Sequence, residues 1–147
     1  MDPTEAPFRI EAGTAPVEAW DDPHHGQVSW RTLVSADRTP SRGIACGICD
    51  LAPGGRLRPH RHAPAEVYFG LAGAGRVTID GQDYPLAPGV AVYVPGGAEH
   101  TTAPEDGGSL SFFWVFGESD VSAIAYFFDA GPPEFIALPE QSGSLPD

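Results

Sequence analysis

The sequence predicts an all-β domain, a sandwich or barrel of short antiparallel strands joined by tight turns. Three observations point there. Short apolar segments recur from residue 27 onward, Pro/Gly turn chemistry separates them, and no long stretch carries the 3.6-residue period of a helix. The 18 glycines and 16 prolines, in a chain with 10% aromatic residues, fit many turns around a core rather than disorder.

Residues 1–26 mix proline, alanine, acidic residues and the pair His24-His25 with neither period, so they are expected to form an N-terminal surface arm anchored by Phe8, Ile10, Val17 and Trp20. The domain proper spans residues 27–128, with strands expected at 28–34, 43–51, 66–71, 75–79, 82–86, 90–94, 110–116 and 124–128. Asp80-Gly81 lies between two of these and signals a type I′ hairpin, in which both central residues take positive φ. Ala52-Pro53-Gly54-Gly55 has the Pro-Gly centre of a type II turn, and the theme repeats at Pro88-Gly89 and Pro95-Gly96. Residues 110–116 are apolar on both alternating faces, with Leu110, Phe112, Trp114 and Phe116 on one and Phe113 and Val115 on the other. One interior covers one face; the arm or a second subunit is expected on the other, which suggests a homodimer. Residues 129–147 are expected to dock as a C-terminal strap through Phe135, Ile136 and Leu138 and then to end loosely.

The chain's 147 residues suit one core, which at this size buries roughly 68–70% of the unfolded surface without staples. Eight basic residues, all arginine, stand against 20 acidic ones for a formal net charge of −12, so nucleic acid and anionic lipid would be repelled. The absence of lysine excludes Schiff-base chemistry and a P-loop. With no signal-like start and no apolar run of spanning length, a cytoplasmic protein without membrane contact is expected. Cys46 and Cys49 are three apart in an expected strand, on opposite faces, and suit burial better than a redox pair.

His60 and His62 are two apart, so in extended chain both imidazoles leave the same face. Glu66 opens the next strand, and His100 follows the Pro95-Gly96-Gly97 turn. Three imidazoles and a carboxylate suit one divalent transition metal (Fe, Mn, Ni, Zn, Co or Cu), and an octahedral ion would keep two positions open. Tyr68 shares the face of Glu66 and is a candidate general base. By alternation Arg58 would share the face of His60 and clamp a substrate carboxylate. Phe112 and Trp114 would wall the substrate from water. Asp21, Asp22, His24 and His25 could form a second metal patch, but nothing in the sequence fixes their geometry, and a solvated loop is the plainer expectation.

The pattern Gly54-x5-His60-x-His62-x3-Glu66-x6-Gly73 resembles the first cupin motif at every spacing, and Gly89-x5-Pro95-x-Gly97-x2-His100 resembles the second, whose final Asn is replaced here by Pro104. The resemblance implies a jelly-roll barrel with His60, His62, Glu66 and His100 as metal ligands. It implies a small-molecule enzyme more than any one reaction, because cupins include lyases, isomerases, decarboxylases, dioxygenases and non-catalytic binders. The expected activity is metal-assisted proton abstraction on a carboxylate or carbonyl metabolite, of lyase or isomerase type, similar to the cupin lyases acting on dimethylsulfoniopropionate. An Fe(II) dioxygenase and a non-catalytic ligand-binding module are the alternatives.

Overall fold

A computed structural model describes residues 5–139. Eleven strands form the fold: β1 (Glu18–Asp22), β2 (Gly26–Val34), β3 (Ala45–Leu51), β4 (Arg56–Arg61), β5 (Glu66–Gly73), β6 (Gly75–Ile79), β7 (Gln82–Leu86), β8 (Ala91–Val94), β9 (His100–Pro104), β10 (Leu110–Phe116) and β11 (Phe127–Phe128). Only two short 3-10 turns accompany them among the described residues. The named strands pair antiparallel along the path β7-β6-β9-β4-β2-β3-β10-β5-β8, with β1 added on β2 and β11 on β4.

The path closes on itself. β5 and β9 are five steps apart along it, which in a flat sheet would separate them by about 24 Å. Yet Glu66 at the start of β5 approaches His100 at the start of β9 to 3.6 Å. Alternation fills the space so enclosed: β10 is buried at Leu110, Phe112, Trp114 and Phe116, and β3 at Ala45, Gly47, Cys49 and Leu51. The turns follow their chemistry. Asp80 and Gly81 take φ of 47° and 85°, and the Gly55 amide donates to the Ala52 carbonyl at 2.8 Å with Gly54 at φ 81°.

Three expectations need correction. The arm is not irregular throughout, since its end is β1, which registers Trp20 against Val28. Its period of 2 is brief, and only Trp20 of the expected anchors packs on the core; Phe8, Ile10 and Val17 are exposed. The segment expected at 124–128 contributes only Phe127–Phe128 as strand, because a 3-10 turn at Val121–Ala123 precedes it. β9 was not among the expected strands, and β4 was expected only as extended chain around His60 and His62, because prolines and polar residues obscure their alternation. The outer face of β10 stays open: Phe113 pairs with Phe69, which is 41% exposed, and Tyr93 nearby is 62% exposed. Residues 140–147, where the loose end was expected, lie outside the described residues.

Candidate metal centre and cavity

A bulge in β4 builds the centre. Leu57 registers with Thr102 and His60 with His100, so one extra residue lies between the two pairs, and the Thr101 hydroxyl donates to the Leu57 carbonyl at 2.6 Å across the irregularity. Leu57 and His60 therefore both point inward. The bulge also breaks the alternation that would have placed Arg58 beside His60. Arg58 instead donates to the Pro23 carbonyl at 2.8 Å, and the cavity wall is formed without it.

His62 lies just past β4, held by the turn that precedes His100. The Gly97 amide donates to the His62 carbonyl at 2.8 Å, and a Cβ on Gly96 would stand 2.3 Å from the Ala63 carbonyl oxygen. The glycine lets the two segments touch, so the residues of both motifs share one scaffold.

Each histidine has its tautomer set by the main chain. The Nδ1 atoms of His60, His62 and His100 stand 2.7, 2.9 and 3.0 Å from the carbonyls of Arg58, Pro64 and Ala98. A carbonyl can only accept, so Nδ1 carries a proton, and in the neutral ring Nε2 presents the lone pair. The ligating atoms of the three buried rings lie within 4.8 Å of one another. Glu66 Oε1 joins them, 3.2 Å from His62 Nε2 and 3.6 Å from His100 Nε2. His62 Nε2, His100 Nε2 and Glu66 Oε1 are buried and without hydrogen-bond partners, an arrangement that a divalent cation would satisfy. The residues present fit a divalent metal, and the histidine triad could hold one.

The electrostatics agree. Burial, reinforced by neighbouring His100, holds the His60 pKa well below the usual imidazole value. Burial also opposes protonation of His62, but the Glu66 carboxylate outweighs it and raises that pKa. For Glu66 the penalty of burial is overcome by His100 and His62, which lower its pKa.

A cavity of about 50 Å³ opens beside this cluster, bounded by His60, Glu66 and Tyr68 on the polar side and by Trp30, Phe112 and Trp114 on the apolar side. Tyr68 packs against Phe112 with ring centroids 4.3 Å apart and the rings tilted by 38°, and burial followed by the Glu66 charge pushes its phenol well above the ordinary tyrosine range. Cys49 also faces the cavity as a buried thiol, its pKa raised chiefly by burial. Trp20, Trp30 and Tyr126 are among the wall residues that escaped the sequence reading. Tyr126 lies 5.2 Å from the His62 ring, and Trp20 reaches the wall from β1. The signal for Tyr126 was present, since Ile124, Tyr126 and Phe128 alternate in an expected strand and all three are buried.

The Cupin domain family matches residues 47–116. The chain is 44% identical over 124 residues to the dimethylsulfoniopropionate lyase DddW of Ruegeria pomeroyi, covering 84% of this chain and 81% of that protein. The chain belongs to the cupin family. Among solved structures, the polyketide cyclase RemF of Streptomyces resistomycificus superposes with a TM-score of 0.68 at 19% identity, over 92% of this chain and 89% of that one. A sugar phosphate isomerase of the cupin superfamily from Silicibacter pomeroyi superposes at 0.65 with 17% identity, over 84% and 83%. At such identities the likeness is one of fold. Similarity to a lyase at 44% identity makes this cupin an enzyme, and it supports lyase chemistry.

Proposed function

We propose that the protein is a lyase acting on dimethylsulfoniopropionate, with His60, His62, Glu66 and His100 holding one divalent transition metal. The observation that carries this reading is the 44% identity with a lyase of that substrate. It gains support from a cavity whose aromatic wall of Trp30, Phe112 and Trp114 suits a methylated sulfonium, a cation that favours ring faces. When bound, the metal supplies positive charge that holds a substrate carboxylate oxygen and acidifies neighbouring groups.

Tyr68, as phenolate, takes a proton from the carbon next to the substrate carboxylate. The electron pair of that C–H bond becomes the new C=C bond, the C–S bond breaks, and sulfur leaves with its pair as neutral dimethyl sulfide. Acrylate is the other product. Burial and Glu66 both oppose the phenolate, so the reading relies on compensating charge at the four ligands. Phe112 holds the Tyr68 ring in place by tilted ring contact, and the apolar wall keeps water from competing for the proton.

Gas chromatography of dimethyl sulfide released by the metal-loaded protein tests the assignment, in air and under argon. Equal release in both gases, with loss of at least about a hundredfold in Tyr68→Phe, is expected for a general base. Dependence on oxygen would replace the lyase reading with the dioxygenase one, and full turnover by Tyr68→Phe would remove the base. The open apolar face around Phe69, Phe113 and Tyr93 supports a homodimer, which sedimentation velocity would test.

A further inference from the structure

The turn between β1 and β2 and the C-terminal strap meet outside the barrel. Asp22 closes the turn, its Oδ1 accepting from the amides of His24 at 2.9 Å and His25 at 2.8 Å. Gly26 completes it at φ 105°, where a Cβ would stand 2.1 Å from the Arg56 carbonyl oxygen. The Arg58 amide donates to the His25 carbonyl at 2.9 Å, and the Arg58 guanidinium donates to the Pro23 carbonyl, so β4 holds the turn from below. Far from a loose solvated loop, the two histidines are fixed in place.

Opposite them stands Glu134, on a strap segment tied to Tyr126 by reciprocal main-chain hydrogen bonds of 2.8 Å. Its Oε2 lies 2.6 Å from His24 Nε2 and its Oε1 lies 2.6 Å from His25 Nε2. All three ligating groups are within 4.8 Å of one another. His25 also has its ring fixed from behind, with Nδ1 2.8 Å from Asp22 Oδ2 and Trp20 stacked on it at 4.6 Å. Asp22 can only accept, so Nδ1 carries a proton toward it, which leaves Nε2 as the atom that faces Glu134. A ring nitrogen 2.6 Å from a carboxylate oxygen is joined to it by a proton or by a metal ion.

We propose that His24, His25 and Glu134 form a second metal site, distinct from the barrel centre, that takes zinc or a similar divalent ion and fastens the strap to the β1–β2 turn. Two imidazoles and one carboxylate leave a fourth tetrahedral position for water. The Asp22–His25 contact is the outer carboxylate that metal-bound histidines ordinarily have. Zinc would part the two 2.6 Å contacts by less than about 1 Å, since its bonds to nitrogen and oxygen are near 2.0–2.2 Å. The ion would close the strap behind Tyr126 and Ile136, both of which line the cavity. Phe128 stands between the two sites, its ring 4.8 Å from His25 and 5.2 Å from His60.

The test is zinc content after dialysis of untagged protein against buffered zinc chloride, with thermal unfolding of the same samples. Glu134→Gln and His24→Ala should each bind one equivalent fewer than the parent protein and lose a zinc-dependent rise in melting temperature that His62→Ala retains. If the barrel centre takes no zinc, the parent binds one equivalent and Glu134→Gln none, so failure at one site is separable from failure at the other. Equal zinc in the parent, Glu134→Gln and His24→Ala would overturn the proposal and leave a latch held by protons alone.

Discussion

Trp114 lies across Gly47 of the neighbouring strand so closely that a Cβ at position 47 would stand 2.4 Å from the indole Cζ2 and 2.3 Å from the Arg31 carbonyl oxygen. Backbone on one side and a ring on the other leave the methyl no direction in which to yield. Gly47→Ala should therefore destabilise the fold by about 1–3 kcal/mol, the range of core overpacking, read from the urea midpoint. Because Trp114 walls the cavity, the same variant should also raise the KM for substrate.

A buried ion pair ties the first strand to the loop after β2. Arg38 grips both oxygens of Glu18, at 2.5 and 3.2 Å, and the Thr32 hydroxyl donates to the same carboxylate at 3.0 Å. Removing the guanidinium leaves Glu18 buried without its cation. Arg38→Met should cost about 3 kcal/mol in chemical denaturation, the low end of the range for a broken buried pair, because the Arg38 side chain keeps 11% of its surface.

The two tyrosines of the cavity should behave differently. Tyr68 shares its strand and face with Glu66, whereas Tyr126 approaches from the strap end and contacts the His60 and His62 rings. Tyr126→Phe should keep kcat within about tenfold of the parent protein, while Tyr68→Phe loses at least about a hundredfold. A larger loss for Tyr126→Phe than for Tyr68→Phe would exchange their roles.

Acid should empty the barrel centre. Metal binding requires neutral His62, and Glu66 raises the pKa of that ring in the metal-free protein, so protons compete from a higher pH than for an ordinary histidine. As pH falls through the raised value, His62 protonates and the apparent metal affinity drops. Isothermal titration at several pH values should show affinity falling with acidity and protons released on binding at near-neutral pH. Affinity independent of pH between about 5 and 8 would exclude His62 as a ligand.

Much of this was legible in the chain. Asp80-Gly81 and the Pro-Gly turns are local chemistry, so hairpin boundaries such as β6 and β7 could be placed to the residue. That His60, His62, Glu66 and His100 would come together was legible because their spacing is fixed by one strand, one turn and one glycine contact. Arg58 was misplaced because a bulge is a property of two strands and leaves no mark on alternation within one. Glu134 could not be joined to His24 and His25 because over 100 residues separate them and only tertiary packing brings the strap to the turn. Trp20 stands in a short segment whose period is too brief to read, whereas Tyr126 was marked by the alternation of Ile124, Tyr126 and Phe128.

The central claim, a metal-dependent lyase centred on His60, His62, Glu66 and His100, is tested most directly by titration of metal into chelator-stripped protein while dimethyl sulfide release from dimethylsulfoniopropionate is followed. Turnover should be absent without metal, rise in proportion to occupancy of the barrel centre, and stay absent in His62→Ala at every concentration. Full turnover by the stripped protein, or none from the loaded one, would contradict it.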